Sequence, residues 1–180
     1  DTGVRLEGQG VQDLCLSFDS IWKYERLPRT TLSQEKRRVS FALVRLNNTW
    51  IRRQVLYRDL IQRIIRAKTR IWITNAYFVP DGSLLRALHA AAKRGVDIRI
   101  LVPAESDVIM MKYIISAFYY GLLKAGVRIF EYGPRFLHAK SLIIDQWAVV
   151  GSTNLNHRSL LHDLEVDAVL TSVDAKNKLA

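Results

Sequence analysis

Two stretches of the sequence repeat the same join between a helix and a strand, and this repeat constrains the fold more than any other feature. Residues 92–98 read Ala-Lys-Arg-Gly-Val-Asp-Ile, and residues 124–129 read Lys-Ala-Gly-Val-Arg-Ile. In both, a glycine follows a helical pattern, where a left-handed residue commonly ends a helix, and a Val/Ile-rich strand comes next. Helix, Gly-Val and strand twice over predict a parallel α/β arrangement with right-handed crossovers.

The pattern changes after residue 134. Two apolar segments, 137–144 and 147–150, are joined by Asp145-Gln146 and predict an antiparallel hairpin. Residues 165–170 predict a last strand. The expected fold class is therefore α/β, with a mixed, mainly parallel sheet flanked by helices.

The part of the chain before residue 70 is less regular. Apolar residues recur at helical spacing over 11–24 and predict an amphipathic helix. The polar stretch 25–38, which contains Pro28, predicts a linker. A strand is expected over 39–46, and a helix with an apolar face opposite its arginines over 51–68.

Composition limits the class of protein. The chain has 180 residues, 49% of them hydrophobic and 24% charged, which is ordinary for a globular domain with its own core. The single cysteine, Cys15, excludes a disulfide-framed module and a cysteine-rich zinc site. The most apolar segment, 113–123, is shorter than the ~20 residues of a spanning helix, and it predicts a buried core helix.

The net charge of +10 is concentrated in one part of the chain. Residues 23–70 hold fourteen bases against three acids, whereas residues 71–180 hold twelve against ten. A local basic stretch of this kind suits a polyanionic partner such as nucleic acid, anionic lipid or a phosphorylated substrate. The alternative is a solvated helix face and a polar linker.

Residues 138–154 hold the side chains with the clearest chemical meaning, in the order HAKSLIIDQWAVVGSTN. His138 and Lys140 are two residues apart, so on a strand they would face one cleft together. Lys140 can neutralise phosphate oxygens, and Ser152 and Asn154 can donate hydrogen bonds to them. His138 can attack phosphorus or transfer a proton. Nothing in the pattern resembles a set of metal ligands, and no cofactor is expected.

The pattern H-x-K-x4-D followed by G-S-x-N resembles the HKD motif of the phospholipase D superfamily. Further likeness, to bacterial cardiolipin synthases, covers roughly residues 40–170. It rests on Tyr77-Phe78-Val79-Pro80-Asp81, Leu84-Leu85-Arg86-Ala87-Leu88, Arg94-Gly95-Val96, Leu101-Val102-Pro103, Ser106-Asp107, Gly126-Val127, Tyr132 and Arg158-Ser159.

The resemblance implies a phospholipase D/nuclease-like fold and an active site that two HKD halves share. One histidine would form a phosphohistidine, and the other would protonate the leaving alcohol and then activate the acceptor. This sequence has one motif, so we expect the C-terminal half of a longer enzyme, with the acid/base role at His138. Residues 1–35 would be a remnant of the preceding half (helix 11–24) and a linker, and residues 36–180 the catalytic half. A homodimer mate could also supply the second motif.

Other site residues have open alternatives. Glu165 or Asp163 could hold and charge the His138 ring, and the family pattern favours Glu165. Asp145 belongs to the motif, but its position in the hairpin turn suggests turn stabilisation. Arg158 could bind a lipid phosphate or pair with a carboxylate. Tyr77 could line the cleft or belong to the core.

The leading functional hypothesis, from the resemblance, is phosphatidyl transfer on anionic phospholipid, as in cardiolipin synthesis. The basic stretch would then hold the protein peripherally on the cytoplasmic face of a bacterial cell membrane. The alternatives are a superfamily nuclease or phosphodiesterase acting on nucleic acid, and a non-catalytic half that completes the site of a partner.

Overall fold

The computed structural model describes residues 3–23, 31–105, 109–133 and 135–180. Helices and strands alternate along most of this length. In chain order they are α1 (Gln9–Trp22), α2 (Leu32–Phe41), β1 (Val44–Leu46), α3 (Trp50–Arg66), β2 (Arg70–Asn75), α4 (Gly82–Lys93), β3 (Asp97–Pro103), α5 (Ile109–Ser116), α6 (Tyr119–Lys124), β4 (Arg128–Tyr132), β5 (Lys140–Ile144), β6 (Trp147–Gly151), α7 (His157–Leu161), β7 (Val166–Leu170) and α8 (Val173–Leu179).

The seven described strands form one mixed sheet in the order β1-β7-β6-β5-β2-β3-β4. The pairs β2–β3 and β3–β4 are parallel, and the other four neighbouring pairs are antiparallel. The prediction of a mixed α/β sheet flanked by helices is confirmed, but the expectation that it is mainly parallel was wrong. The two repeated crossovers carry α4 and α5–α6 and join parallel strands, whereas the strands that follow β4 along the chain all pair antiparallel with their neighbours.

The two repeated joins have the predicted geometry. Asp81 caps α4 by accepting the backbone N–H groups of Ser83 and Leu84. Gly95 and Gly126 follow α4 and α6 with φ of 84° and 90°, the left-handed region that a side chain would disfavour. The cap predicted at Asp107 lies outside the described residues.

The segment before β1 differs from the prediction. Helix α2 occupies part of the expected linker and of the expected strand, and β1 is only three residues long. A capping box explains the helix, because Thr31 and Gln34 satisfy each other's backbone N–H groups. This T-x-x-Q signal stands in the sequence. Helix α2 runs through position 35/36, and the division of the chain there stays a prediction.

The main core lies between one face of the sheet and helices α3, α4 and α7. Ile64, Ile71, Leu84, Leu88 and Ile98 are among its fully buried members. A smaller cluster on the opposite face packs strands β5 to β7 against α8. The carboxyl ends of β2, β3 and β4 share one edge of the sheet with the beginning of β5, because β5 runs antiparallel to β2.

The apolar segment 113–123 forms two short helices that are only partly buried. Ile115 and Leu122 belong to the core, whereas Tyr113 and Tyr120 are 72% and 76% exposed. The expectation of a buried core helix was therefore wrong for Tyr113 and Tyr120. None of the helices in the described ranges has the length and apolar character needed to cross a membrane.

Candidate active site

His138 and Lys140 lie at the edge of the sheet where β5 begins. Strand β5 starts at Lys140, so His138 precedes the strand instead of belonging to it. The two are held together by a hydrogen bond in which Lys140 Nζ donates to the backbone carbonyl oxygen of His138 at 2.7 Å. Lys140 is buried and His138 is exposed. A buried ammonium is therefore bonded to the backbone of a residue that is itself exposed.

Two aromatic rings flank the imidazole of His138. The Tyr77 ring meets it edge-on with 6.1 Å between centroids, and the Phe136 ring stacks on it at 5.9 Å. Tyr77, which follows β2, is half-buried and lies beside His138, as the cleft alternative requires. The sequence reasoning missed Phe136, although an aromatic residue two positions before the motif histidine was a visible signal.

A row of five residues crosses the sheet behind this edge, on the face that packs against α3. Strand pairing sets Asn75 beside Lys140, Gly151 beside Asp167, and Asp167 beside Arg45. The register of β5 with β6 places Gly151 next to Lys140. All five line a cavity of about 60 Å³. The sequence analysis did not predict three members of this row, Asn75, Arg45 and Asp167, as site residues. For Arg45 and Asp167, a signal was present: each is a charged residue within a short apolar strand, β1 or β7.

The loop 151–154 is bound to this row. Thr153 donates to Asp167 twice, from its backbone N–H to Oδ1 at 3.2 Å and from its hydroxyl to Oδ2 at 2.8 Å. On the other side, Asn75 accepts the backbone N–H of Leu155 at 3.1 Å. Burial raises the pKa of Asp167 above its usual range, although the bonds from Thr153 and the charge of Arg45 oppose this.

Gly151 has no space for a side chain. A Cβ atom there would overlap Asp167 Oδ1 and the carbonyl oxygen of Val166, and would lie 2.6 Å from the Asp167 Cα. The glycine of the G-S-x-N pattern thus leaves the space that the Asp167 carboxylate occupies beside β6.

Glu165 precedes β7 and accepts hydrogen bonds from the hydroxyls of Ser152 and Ser159. Burial raises the pKa of Glu165, while the two serine hydroxyls work to lower it. The contact predicted between a carboxylate and His138 stays a prediction. Of the two candidates, Asp163 is paired with Arg158.

The remaining predicted substrate-binding residues border the same loop. Asn154 donates its backbone N–H to Ser159 Oγ at 3.1 Å, and its buried Oδ1 has no hydrogen-bond partner within the described part of the chain. Ser152 is exposed and tied to Glu165. Arg158 is exposed and forms an ion pair with Asp163 at 3.1 Å, the carboxylate alternative of the two considered.

The structure does not bring Asp145 to the other motif residues. It lies in the β5–β6 turn, at the opposite end of β5 from His138, with a φ of 51°. Its carboxylate accepts the backbone N–H groups of Lys68, Thr69 and Arg70 and the Thr69 hydroxyl. Burial works to raise the pKa of Asp145, but these hydrogen bonds bring it below its usual range. This geometry supports the turn-stabilising interpretation over a catalytic one.

Part of the basic stretch serves the fold. Arg45 pairs with Asp59 at 2.8 Å, and the guanidinium groups of Arg45 and Arg63 both lie over the Trp147 ring. Exposed bases remain on α3 and just after it. They are Arg58, Arg66 and Lys68. Some bases of this stretch therefore stabilise the fold, and others remain exposed. The exposed bases fit both interpretations of the sequence, a solvated helix face and a surface for a polyanionic partner.

Comparison with known proteins agrees with the motif. Residues 60–180 match the family described as "Cardiolipin synthase, PLD-like domain". The chain is 34% identical over 190 residues to a cardiolipin synthase of Geobacillus thermodenitrificans. That alignment covers 99% of this chain and 37% of the relative, so the chain spans little more than a third of the protein it resembles.

Solved structures show the same fold at low sequence identity. Nuc from Salmonella typhimurium, a phospholipase D family member, superposes with a TM-score of 0.56 at 23% identity, covering 68% of this chain and 80% of Nuc. NucT from Helicobacter pylori has a TM-score of 0.59 at 18% identity, covering 76% and 88%. On the family match and this fold, the chain belongs to the phospholipase D-like domain family of cardiolipin synthases.

Proposed function

We propose that this chain is one HKD half of an enzyme that transfers a phosphatidyl group between alcohols on anionic phospholipid. The observation that carries the proposal is the pairing of an exposed His138 with a buried Lys140 bonded to its backbone at 2.7 Å. The relatives named cardiolipin synthase support this class of substrate.

The reaction we propose proceeds in two displacements at phosphorus. A histidine of the second HKD motif attacks the phosphodiester, forms a P–N bond and breaks the P–O bond to the leaving alcohol. His138 donates a proton to that alcohol. His138 then removes the proton from the acceptor hydroxyl. The acceptor oxygen attacks phosphorus, and the P–N bond to the histidine of the second motif breaks.

Lys140, Ser152 and Asn154 would stabilise the charge on the phosphoryl oxygens. Preorganised donors at such a position commonly contribute two to three orders of magnitude in rate. Asn154 belongs to the loop that leads into α7, and its buried Oδ1 has no hydrogen-bond partner within the described part of the chain. Asp145 is left outside this set, because its carboxylate is engaged at the far turn.

The second histidine has to come from another copy of the motif. This sequence contains H-x-K only at position 138. The second motif would come from the same full-length polypeptide or from a homodimer mate. The exposed bases Arg58, Arg66 and Lys68 suit anionic headgroups at the cytoplasmic face of a bacterial membrane.

The test uses the full-length protein expressed from its native gene, with phosphatidylglycerol vesicles as substrate. His138→Ala should lower transferase activity by about 10²- to 10⁴-fold. His162→Ala, which removes another exposed histidine, should have little effect. Full activity in His138→Ala would overturn the assignment. Cleavage of DNA with no reaction on vesicles would favour the nuclease alternative, and a wild type inert on both would favour the non-catalytic one.

A change of leaving group separates the two roles of His138. A phosphatidyl ester of p-nitrophenol departs without a proton, so a variant that lacks only the general acid should be much less impaired on it. If His138 is the nucleophile instead, His138→Ala should be equally inactive on both substrates.

A further inference from the structure

We propose that Asp167 is a positioning residue that holds the loop 151–154 at the start of β5 by binding Thr153 with both of its carboxylate oxygens. The proposal rests on the proposed function, because the work of the loop is to present Ser152 and Asn154 to a phosphodiester. Asp167 is assigned no contact with substrate and acts through Thr153.

The first support is the two-point contact between Asp167 and Thr153. The backbone N–H binds Oδ1 at 3.2 Å and the hydroxyl binds Oδ2 at 2.8 Å. Two hydrogen bonds to different oxygens of one carboxylate fix both the position and the rotation of the residue that donates them. Thr153 lies between Ser152 and Asn154, so both predicted phosphate donors inherit this constraint.

The second support is that residues of two different strands, β2 and β7, bind the loop by hydrogen bonds. On β2, the buried Asn75 donates to the Thr153 carbonyl oxygen at 3.4 Å and accepts the Leu155 N–H at 3.1 Å. On β7, Asp167 holds the N–H and hydroxyl of Thr153. Gly151 and Thr153 of this loop line the same cavity as Lys140 and Asp167.

The third support is the space made for the carboxylate. Gly151 lies opposite Asp167 in the β6–β7 pair, and any Cβ at 151 would occupy the volume of Asp167 Oδ1. Arg45, the Cα partner of Asp167 on β1, forms its ion pair with Asp59, but its positive charge also favours the ionised form of Asp167. A half-buried carboxylate is stabilised by such partners, and none of these features is required merely to complete a strand.

The experiment is a double-mutant cycle on the full-length protein, with Thr153→Val, Asp167→Asn and both together. Vesicles of phosphatidylglycerol and bis-p-nitrophenyl phosphate serve as substrates. Each single variant should lower kcat/KM about 10-fold or more, and the double variant should be no worse than Asp167→Asn, since contacting residues are non-additive. Thr153→Ser, which keeps the hydroxyl, should stay near wild type. Val169→Ala, on the same face of β7, controls for lost stability.

Several results would overturn the proposal. One is an additive double variant, and another is unchanged kcat/KM in Thr153→Val. A third is a fall in unfolding free energy without a fall in kcat/KM of the folded protein. Thr153→Val keeps the charges of the cavity and remains informative if Asp167→Asn fails to fold. If His138→Ala is inactive while these variants are unaffected, only this inference fails. If the wild type does not react with the lipid but cleaves bis-p-nitrophenyl phosphate, the assignment of a lipid substrate fails. The double-mutant cycle is then measured with bis-p-nitrophenyl phosphate.

Discussion

The side-chain ammonium of Lys140 and the backbone carbonyl oxygen of His138 are joined by a hydrogen bond of 2.7 Å. The bond connects the first residue of β5 with the residue that precedes the strand by two positions. The bond holds the backbone that carries the imidazole, and in the proposed reaction the same ammonium would also supply positive charge to the phosphate. These two tasks of Lys140 can be separated by substitution.

Lys140→Met keeps an unbranched stem but removes the charge and the donor. We expect kcat/KM on phosphatidylglycerol to fall by about 10²- to 10³-fold, the loss typical of a removed oxyanion-stabilising donor. Lys140→Arg keeps the charge but is too wide for the buried position, so it should recover only part of the activity. Steady-state kinetics with circular dichroism of each variant would check this. Activity of Lys140→Met within a few-fold of wild type would contradict it.

Gly151→Ala should be strongly destabilising. The added Cβ would overlap Asp167 and the backbone carbonyl of Val166, and backbone atoms of a central pair of strands cannot move away easily. We expect a loss of about 3 kcal/mol in unfolding free energy, the upper part of the range for overpacking. Urea denaturation measures it. Gly133→Ala is the matched control, since a Cβ there meets nothing within 4 Å. Equal stability of the two variants would show that the crowding is relieved.

Much of the fold follows from local signals in the sequence. The repeated Gly-Val joins predicted the two parallel crossovers, and Asp145-Gln146 predicted the hairpin. These features depend on a few neighbouring residues, so a single sequence suffices to find them. The capping box at Thr31 is an equally local signal, but it was missed. Residues of helix α2 were therefore predicted to be part of a linker and a strand.

The row of five residues that crosses the sheet behind His138 could not be predicted in the same way. Arg45, Asn75 and Asp167 come together only through strand order, which brings β1 beside β7 and β2 beside β5. Which distant strands become neighbours in the sheet is not encoded in the local pattern of apolar and polar residues. The motif residues His138 and Lys140 were found because their spacing alone identifies them. The residues that support them were found only in the structure.

Asp145 should contribute to stability in a pH-dependent way. Its pKa lies below the usual range in the folded state, so its stabilising effect is complete above the ordinary pKa of an aspartate and is lost as the pH falls through the lowered value. At neutral pH, Asp145→Asn should cost about 1.5–3 kcal/mol of unfolding free energy, since hydrogen bonds to a charged acceptor are lost. Asparagine tolerates the positive φ, so the turn is kept.

Urea denaturation of wild type and Asp145→Asn across pH would check this, with exposed Gln146→Ala as a control in the same turn. The difference between wild type and Asp145→Asn should shrink towards about pH 3. A difference that grows in acid would mean that the carboxylate is not held as its contacts indicate.

Glu165 should show the opposite pH dependence. Burial raises its pKa despite the hydroxyls of Ser152 and Ser159, so the folded state binds the proton more tightly than the unfolded chain does. The stability that Glu165 contributes is therefore complete below its ordinary pKa and is lost as the pH rises through the raised value. Glu165→Gln, a neutral residue of the same shape, should lack this loss.

The stability of Glu165→Gln relative to wild type should therefore rise as the pH is raised above the ordinary pKa of a glutamate, about 4, when urea denaturation of both proteins is compared. The same substitution at the exposed Glu7 controls for removing one negative charge. Activity should move the other way. If Glu165 holds and charges His138 as the family pattern implies, Glu165→Gln should lose at least about 10-fold in kcat and shift the pH profile, even where it is the more stable protein. A variant that is more stable and fully active would leave Glu165 as a carboxylate that only binds the two serines.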